Sequence, residues 1–529
     1  MDFNKIKLFI TTIIYLKPIQ IYYRVYYFLR NRILGNSKYV KNISLFESIY
    51  WKNTLNTSNS YFQKNNEFNF LNMKHVFSNN INWNLKSYGK LWTYNLNYFD
   101  FLNQNNMNVD DGIILILDYI KKDSLLIEGK EPYPISLRGI NWIKFLSEND
   151  IKNLEINIIL YNHYKILFQN LEFHLLGNHL LENGFSLLFG AYYFQNNKFY
   201  KKSKKLLYSE LNEQILSDGA HFELSPMYHQ IILNRLLDCI FLIQNNSWIN
   251  DQNLLIFLKN KAEKMLSYLN TITYGNGDIP MVNDSSFNIA PKSIDLFNYG
   301  KKLNLNYGLS NLSDSGYRKI IKKKYELFID IGNIGPKYQS GHSHADTFNF
   351  ELVFNNKPII VDRGTSTYVN NITRREERGS KSHNTVTVEN KNQSDVWGAF
   401  RVGKRAKVTH VKFDENICSA KHDGYLKTKG YHKREFTYCE NEITIEDSFM
   451  KNNDCICEAN FHFHNTVKIL EINDNMIKIS GGLILNFYSS NNLKINVTNY
   501  ELAQGFNKTV KAKKISIIFH QLLKTKISL

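Results

Sequence analysis

Proline and glycine are scarce in this chain of 529 residues, which contains only 8 Pro and 26 Gly. That scarcity argues against long disordered linkers. Hydrophobic residues make up 43% of the sequence, with 33 Tyr and 35 Phe, so the chain can bury a large interior. Because its length exceeds that of one ordinary hydrophobic core, we expect a globular protein of two or three domains.

Cysteine is also rare, and the number of cysteines is odd. Their spacing is not that of a disulfide framework. The positions are Cys239, Cys418, Cys439, Cys455 and Cys457. The sequence therefore predicts no disulfide scaffold.

The N-terminal apolar stretch at residues 8–16 is far shorter than the roughly 20 residues that a membrane-spanning helix needs. No small-residue cleavage site follows it, so no clear signal peptide is indicated. This basic, amphipathic part of segment 1–85 would either lie on a membrane surface or pack against the main body, and both remain open. We expect a cytoplasmic or peripheral inner-membrane protein rather than a periplasmic or secreted one.

Acidic residues are outnumbered, with 48 Asp and Glu against 65 Lys and Arg, which gives a formal net charge of +17. Such a charge suits an anionic polysaccharide, a nucleic acid or a membrane surface. The lysines are scattered and no nucleic-acid-binding motif is present, so we expect no nucleic-acid partner.

Residues 86–315 have a helical pattern, in which apolar residues recur at three and four positions. Helices are predicted at 151–170, 180–195, 198–216, 228–244 and 253–269. The sequence shows no repeat of fixed period, so stacked helical hairpins are favoured over a solenoid of near-identical units.

Residues 316–529 change to short β-rich runs separated by Asn, Asp, Gly and Lys turns, a pattern typical of an antiparallel β-sandwich. The predicted strands include 326–331, 348–354, 358–361, 384–388, 407–413, 435–440 and 442–449. The fold class is therefore α+β and multidomain.

The stretch at residues 340–354 begins with alternating polar residues and then turns apolar, which indicates a strand. In an extended chain, His342, His344 and Asp346 would project from one face. Two imidazoles and a carboxylate on one surface suit either proton transfer or zinc binding. A polar sheet face with two ordinary histidines would have the same pattern.

A second polar group opens an apolar helix at Asn178. His179 and Glu182 are three positions apart and would share a helix face. A helix N-cap would account for Asn178 alone, but it leaves His179 and Glu182 unexplained.

A third polar stretch, residues 218–229, leads into a helix. Pro226 suits the first turn of that helix. Taken singly, Tyr228 would be a core residue.

Asp362 ends an apolar run in the strand region, and His383 precedes another. Together with His344 they would form a nitrogen-rich site suited to zinc. Three arginines offer bidentate anchors for carboxylate or sulfate groups: Arg374, Arg375 and Arg378.

Five motifs in this order resemble the heparinase II/III-like family of polysaccharide lyases, which is also similar to certain alginate lyases. The motifs are Gly177-Asn178-His179 with Glu182, Ser225-Pro226-Met227-Tyr228, Gly341-His342-Ser343-His344-Ala345-Asp346, Val361-Asp362-Arg363-Gly364 and Ser382-His383-Asn384-Thr385-Val386. The resemblance covers most of the chain. It implies an incomplete α/α toroid followed by an antiparallel β-sandwich, divided here into 1–85, 86–315 and 316–529.

The resemblance also implies roles for individual residues. Asn178 and His179 would face the uronate carboxylate, Tyr228 would transfer the proton, and His342 would be a second acid or base. Two further residues would support them, Glu182 by orienting His179 and Arg378 as an anchor. The implied metal ligands are His344, Asp362 and His383, holding a zinc ion that braces the domain junction; no organic cofactor is expected.

The expected reaction is β-elimination on a polysaccharide that contains uronic acid. Removing a proton next to a charged carboxylate is difficult, and donors such as Asn178 and protonated His179 lower that barrier. Tyr228 or His342 would take the proton, and the other, or the same tyrosine, would protonate the departing oxygen.

Two other functions remain open from the sequence. A glycoside hydrolase would use carboxylates such as Glu223, Asp218 or Glu182, since α/α toroids also host glycosidases; this leaves the histidines unexplained. A non-catalytic glycan-binding or assembly protein in surface-polysaccharide production would keep the fold without turnover. The joint presence of the amide, the tyrosine and the histidine counts against it.

Overall fold

The structure is a computed structural model that describes residues 3–33, 39–43, 48–55, 61–451, 454–490 and 492–529. Most of its helices precede residue 303, and most of its strands follow residue 316. The α-helices are α1 (Phe3–Ile13), α2 (Pro18–Ile33), α3 (Lys90–Tyr98), α4 (Val109–Lys121), α5 (Pro132–Glu148), α6 (Leu154–Gln169), α7 (Gly177–Tyr193), α8 (Asn197–Gln214), α9 (Pro226–Asn245), α10 (Gln252–Ile272), α11 (Ser293–Lys302) and α12 (Ile372–Glu377). Short 3-10 helices occur at Asp100–Asn103, Asp123–Leu125, Glu128–Lys130 and Ser380–Ser382.

The strands are antiparallel to their neighbours throughout the described residues. They are β1 (Phe62–Gln63), β2 (Glu67–Phe70), β3 (Met73–Val76), β4 (Tyr317–Ile321), β5 (Tyr325–Asp330), β6 (Phe350–Phe354), β7 (Lys357–Ile360), β8 (Val386–Val388), β9 (Val396–Trp397), β10 (Arg401–Val402), β11 (Val408–Phe413), β12 (Ile417–His422), β13 (His432–Cys439), β14 (Glu442–Phe449), β15 (Cys457–His462), β16 (Ile469–Ile472), β17 (Met476–Ile479), β18 (Ile484–Tyr488), β19 (Lys494–Gly505), β20 (Lys508–Phe519) and β21 (Leu522–Ser528).

The helical half has an inner and an outer layer. Helices α5, α7 and α9 are buried on nearly all sides, whereas α6, α8 and α10 bury only one side. A helix that is apolar all round must lie inside, and an amphipathic one covers it. Polar side chains cap several of these helices; the cap at Asn153 explains why α6 begins three residues later than predicted.

The sandwich is built on an eight-stranded sheet in the order β11-β12-β13-β14-β21-β18-β17-β16 and a four-stranded sheet in the order β19-β20-β15-β8, as far as the described residues go. The sheet β4-β5-β6-β7 joins the two halves. Phe328 and Val353 pack into the helical core, while Leu327, Ile329 and Leu352 pack into the sandwich core. This alternation buries both faces of the sheet. The predicted α/α toroid followed by a β-sandwich is confirmed.

The predicted strand at residues 340–354 is wrong in its first part. Strand β6 begins only at Phe350, and turns precede it: Ser343 N donates to Ser340 O, and Asn349 N donates to Asp346 O. Phe348 has a φ of 71°, which breaks the extended chain. Strand alternation therefore does not set the direction of His342 and His344.

The N-terminal residues form helices α1 and α2 and the small sheet β1-β2-β3. Helix α2 packs on the helical half, where Gln20 Nε2 donates to Leu175 O and Tyr27 Oη to Leu171 O. Helix α1 packs on the two-stranded sheet β9-β10 through Thr12, whose Oγ1 accepts from Trp397 Nε1. Among the described residues, no helix is both long and apolar enough to cross a membrane.

Candidate active site

The candidate site lies where the first turns of α7 and α9 meet the loop before β6. Ser225 caps α9 by accepting from Tyr228 N, and Pro226 occupies the first turn. Helix α7 begins at Gly177, whose φ is 59°. A Cβ there would lie 2.7 Å from Glu223 Oε1. A glycine is required because that conformation disfavours side chains and the carboxylate leaves no space.

Asn178 is held from both sides. Glu223 accepts from Asn178 N at 3.0 Å and from Asn178 Nδ2 at 2.8 Å. The same Nδ2 lies 3.5 Å from His342 Nε2. Glu223 is fully buried, so water does not compete for its carboxylate. Its two hydrogen bonds therefore hold the Asn178 side chain next to the His342 ring.

Tyr228 lies against His342 with the two ring centroids 4.1 Å apart. Its hydroxyl is 3.3 Å from the hydroxyl of Tyr368. Burial raises the pKa of Tyr228 above its usual value, so the phenol carries its proton at neutral pH. The site therefore places a neutral phenol beside an imidazole.

Asp284 connects the two histidines of the His342-Ser343-His344 motif. Its Oδ2 lies 2.9 Å from His342 Nδ1, and its Oδ1 lies 2.9 Å from His344 Nε2. Arg374 forms a bidentate pair with the same carboxylate, with Nη2 2.7 Å from Oδ2. Burial favours the neutral acid, but Arg374 and the two histidines outweigh it and hold the pKa of Asp284 well below its usual range. An ionised carboxylate therefore stands behind both imidazoles.

His179 is paired with Glu172 and not with Glu182. Its Nδ1 lies 3.0 Å from Glu172 Oε1, whereas Glu182 accepts from Arg235 Nε at 3.0 Å. The prediction that Glu182 orients His179 is thus corrected. Glu182 lies one turn further along α7, where its charged neighbour is Arg235 on α9. Burial lowers the pKa of His179, but Glu172 raises it more, so the net shift is upward and favours the imidazolium.

Arg378 is not an anchor for substrate, and this prediction is also corrected. Its side chain is fully buried and donates to the carbonyls of Ser343, Gly398 and Arg401. Arg374 is equally buried. Both guanidinium groups therefore hold loops and cannot reach a sugar acid.

The carboxylates that a hydrolase would use are all occupied. Glu223 and Glu182 have the partners given above, and Asp218 accepts from the backbone amides of Ser313 and Ser315. All three are buried. None is placed as an accessible acid or base beside Tyr228.

The predicted metal ligands lie close together at the domain junction. His383 Nδ1 is 2.7 Å from Asp362 Oδ2, and the rings of His383 and His344 are 5.3 Å apart. Among the described residues, no group of three His, Cys, Asp or Glu side chains is arranged to hold a metal ion. Two observations still fit the two histidines to zinc, whereas Asp362 accepts from Asn349 Nδ2 and Gly364 N and lies against His383 Nδ1. His344 Nδ1 and His383 Nε2 are buried without a hydrogen-bond partner in the described part, and His344 is backed by a carboxylate, as metal-bound histidines usually are.

Several site residues could not be assigned from the sequence: Asp284, Glu172, Tyr368 and Phe400. Phe400 keeps 43% of its surface exposed although its ring centroid is only 6.1 Å from that of His342. Its loop is fixed by Arg374 Nε, which donates to Ala399 O. The one sequence signal for Asp284 is the polar run that follows the apolar residues 279–282.

Comparison with known proteins agrees with this architecture. Residues 141–303 match the profile described as Heparinase II/III N-terminus, and residues 304–528 match Heparinase II/III-like, C-terminal. A heparin-sulfate lyase from Bacteroides stercoris is 24% identical over 298 residues, which span 51% of this chain and 43% of the relative, so the match covers less than half of the relative's length.

Solved structures share the fold. The crystal structure of heparinase III aligns with a TM-score of 0.68 at 16% identity, covering 96% of this chain and 91% of that one. The heparan sulfate lyase HepC from Pedobacter heparinus aligns with a TM-score of 0.54 at 14% identity, covering 88% and 81%. Since the two family profiles together match residues 141–528, the chain belongs to the heparinase II/III-like family.

Proposed function

We propose that the protein is a polysaccharide lyase that cleaves a uronic-acid-containing anionic polysaccharide by β-elimination. One observation carries this proposal: an amide, a phenol and an imidazole from three separate segments meet in one place. Asn178 Nδ2 is 3.5 Å from His342 Nε2, and the ring of Tyr228 lies 4.1 Å from that of His342. Elimination next to a carboxylate needs a donor to the carboxylate, a base and an acid, and these three groups can fill those roles.

The substrate carboxylate would be bound at the N-terminus of α7. Asn178 supplies an amide donor there, and His179 supplies a cation because Glu172 favours its protonated form. The helix dipole adds partial positive charge at the same end. Each well-placed donor is expected to contribute on the order of 3 kcal/mol to the stabilisation of the developing negative charge.

Proton transfer would involve His342 and Tyr228. Because Asp284 lies against Nδ1 of His342, Nε2 is the nitrogen that would accept the proton α to the carboxylate. The electrons of that C–H bond form the new double bond, and the glycosidic C–O bond breaks. Tyr228 then donates its phenolic proton to the departing oxygen.

The test is a screen of uronate polymers, including heparan sulfate, alginate, hyaluronan and bacterial capsules. A lyase product absorbs in the ultraviolet because it contains an unsaturated uronate, whereas a hydrolase product does not. New reducing ends without that absorbance would overturn the proposal in favour of hydrolysis. Binding of a polymer with no new chain ends would favour the glycan-binding function.

A second part of the proposal concerns zinc, held by His344, Asp362 and His383. When bound, the ion would brace the junction of the two halves. Two imidazole nitrogens without a partner among the described residues, and the Asp284 carboxylate behind His344, support it. We expect elemental analysis of protein purified without added metal to find about one zinc per chain, and its removal to lower the melting temperature.

His342 and His344 offer a matched pair of variants for this test, because both contact Asp284. His344→Ala should lose the metal and part of the stability, while His342→Ala should keep both and lose turnover. Protein that contains no metal, and that is not stabilised by added zinc, would overturn the site without affecting the lyase assignment.

A third part concerns location. We propose a cytoplasmic or peripheral inner-membrane protein, and the support is that α1 and α2 pack on the body of the protein as part of its fold. Mass spectrometry of the protein from its native host should find this segment retained. An N-terminus trimmed at roughly residues 20–30 would instead indicate export.

A further inference from the structure

The helices α1 and α2, which we call the N-terminal hairpin, turn one side toward the protein and the other toward solvent. The inward side is made by residues such as Gln20, which is 1% exposed, and Tyr23, whose ring stacks 4.6 Å from that of Phe173. The outward side carries large apolar residues, among them Phe9 (47% exposed), Ile10 (56%), Ile14 (69%), Tyr22 (61%), Val25 (53%) and Phe28 (56%). So many apolar side chains at one surface indicate an interaction site.

The charges of the hairpin have one sign. Residues 3–33 contain no Asp or Glu, whereas Lys5, Lys7, Arg24 and Arg32 are exposed there. An exposed apolar face whose own charged residues are all cationic, and which includes the exposed Tyr22 and Tyr26, is complementary to an anionic lipid surface. A second copy of the chain is a poorer occupant, because a symmetric interface would bring like charges together.

We propose that this outward face binds a membrane surface rich in anionic lipids, with the hairpin lying in the interface. Helices of 11 and 16 residues are too short to span a bilayer, and both are attached to the body of the protein, so they lie on the membrane. The inference deepens the proposed location and is independent of the proposed chemistry.

The hairpin also contacts a segment that borders the candidate site. The inward side of α1 contacts the segment that follows Val396: Thr12 bonds to Trp397, and the guanidinium of Arg405 lies 3.9 Å from the ring centroid of Tyr15. Phe400, which flanks His342, lies on this segment. Through this segment the hairpin is connected to the candidate site.

The experiment is sedimentation of the full chain with vesicles of phosphatidylcholine alone and of phosphatidylcholine mixed with phosphatidylglycerol. We expect binding to the anionic vesicles, weakened by salt. The double variant Ile10→Asp and Val25→Asp, and separately Lys5→Glu with Lys7→Glu, should reduce partitioning at least tenfold, because each basic residue near an anionic surface favours binding roughly fivefold. Ile256→Asp is the matched control, since Ile256 is 55% exposed on α10 and should have no effect.

Three outcomes would overturn the inference: no binding to anionic vesicles, equal binding by the hairpin variants and the wild type, or a hairpin-dependent dimer that does not bind vesicles. Activity on a soluble polymer, measured on the same variants, separates this proposal from the lyase assignment. Variants that keep turnover and lose vesicle binding support the docking face. A chain that binds vesicles but cleaves no polymer would refute only the chemistry.

Discussion

At the scale of single residues, the chemistry depends on a hydroxyl that burial keeps protonated. Tyr228→Phe removes that hydroxyl and almost no volume. We expect the rate of β-elimination to fall by a factor of roughly 10²–10⁴, the usual size of a proton-transfer contribution, with the melting temperature nearly unchanged. Steady-state kinetics and circular dichroism measure the two effects.

Tyr488→Phe is the control for this change, because Tyr488 is 47% exposed on β18, in the sandwich. It should keep full activity. Full elimination activity in Tyr228→Phe would contradict the assigned role, as would loss of a hydrolytic activity in Glu223→Gln.

Phe400 allows a second residue-scale prediction. Its exposed ring beside His342 offers a flat apolar surface on which the face of a sugar ring can pack. Phe400→Ala should raise KM roughly tenfold while kcat changes little, which is the signature of a lost binding contact. Phe400→Tyr should restore KM.

Phe413→Ala is the matched control for Phe400, since Phe413 is 44% exposed on β11 and packs against Arg318. An unchanged KM in Phe400→Ala would show that the ring does not contact substrate. An equal effect of both variants would point to general destabilisation.

Individual site residues could be predicted from the sequence only where they are part of a local sequence motif. Tyr228, His342 and Asn178 lie in such motifs and meet in the structure. Their partners come from elsewhere: Asp284 is 58 positions from His342, and Glu223 is 45 positions from Asn178. Helical spacing suggested Glu182 as the partner of His179, but His179 lies in the first turn of α7 and meets Glu172 from the preceding loop.

At the scale of elements, the start of α7 controls the site. Gly177→Ala would place a Cβ 2.7 Å from Glu223 Oε1 in a backbone conformation that costs roughly 1–2 kcal/mol for a side chain. The carboxylate must move, and Asn178 moves with it. We expect lower stability and a clear loss of kcat, measured by thermal unfolding and steady-state kinetics.

Gly308→Ala is the comparison, because a Cβ at Gly308 would meet no atom within 4 Å. It should leave both stability and activity near the wild-type values. If Gly177→Ala were equally silent, the close approach of Glu223 would not constrain the site.

Element types were predictable where one periodicity dominated. Helices α6 to α10 and strand β14 were predicted near their observed bounds, since apolar spacing and caps agree there. The loop at residues 340–349 was not predicted, because its alternating polar residues have the pattern of a strand. In the structure its backbone forms turns, and its buried side chains contact residues that are distant in the sequence.

At the scale of the whole molecule, buried neutral histidines make stability depend on pH. Burial lowers the pKa of His163 and His221 to about 4 and that of His229 to about 3, from an ordinary histidine pKa of 6.5. The unfolded chain therefore binds more protons between about pH 6.5 and the folded pKa values. In this window the free energy of unfolding falls as the pH falls, and each such histidine contributes a loss of about 1.4 kcal/mol per pH unit.

Urea unfolding at a series of pH values from about 7 to about 4 would measure this loss. His229→Gln should be less stable at neutral pH but should lose less stability on acidification. A midpoint that stays constant or rises as the pH falls would contradict the prediction.

The N-terminal hairpin touches both halves of the molecule, with α1 on the segment around Trp397 and Lys17 paired to Glu213 on α8. Tyr228 belongs to the helical half and His342 to the half that contains the sandwich. The distance between their side chains therefore depends on how the two halves are held together. The N-terminal hairpin contacts both halves, and these contacts limit how far the halves can move apart during thermal motion. The alignment of phenol and imidazole is thus maintained partly from outside the cleft, by residues that never meet a sugar.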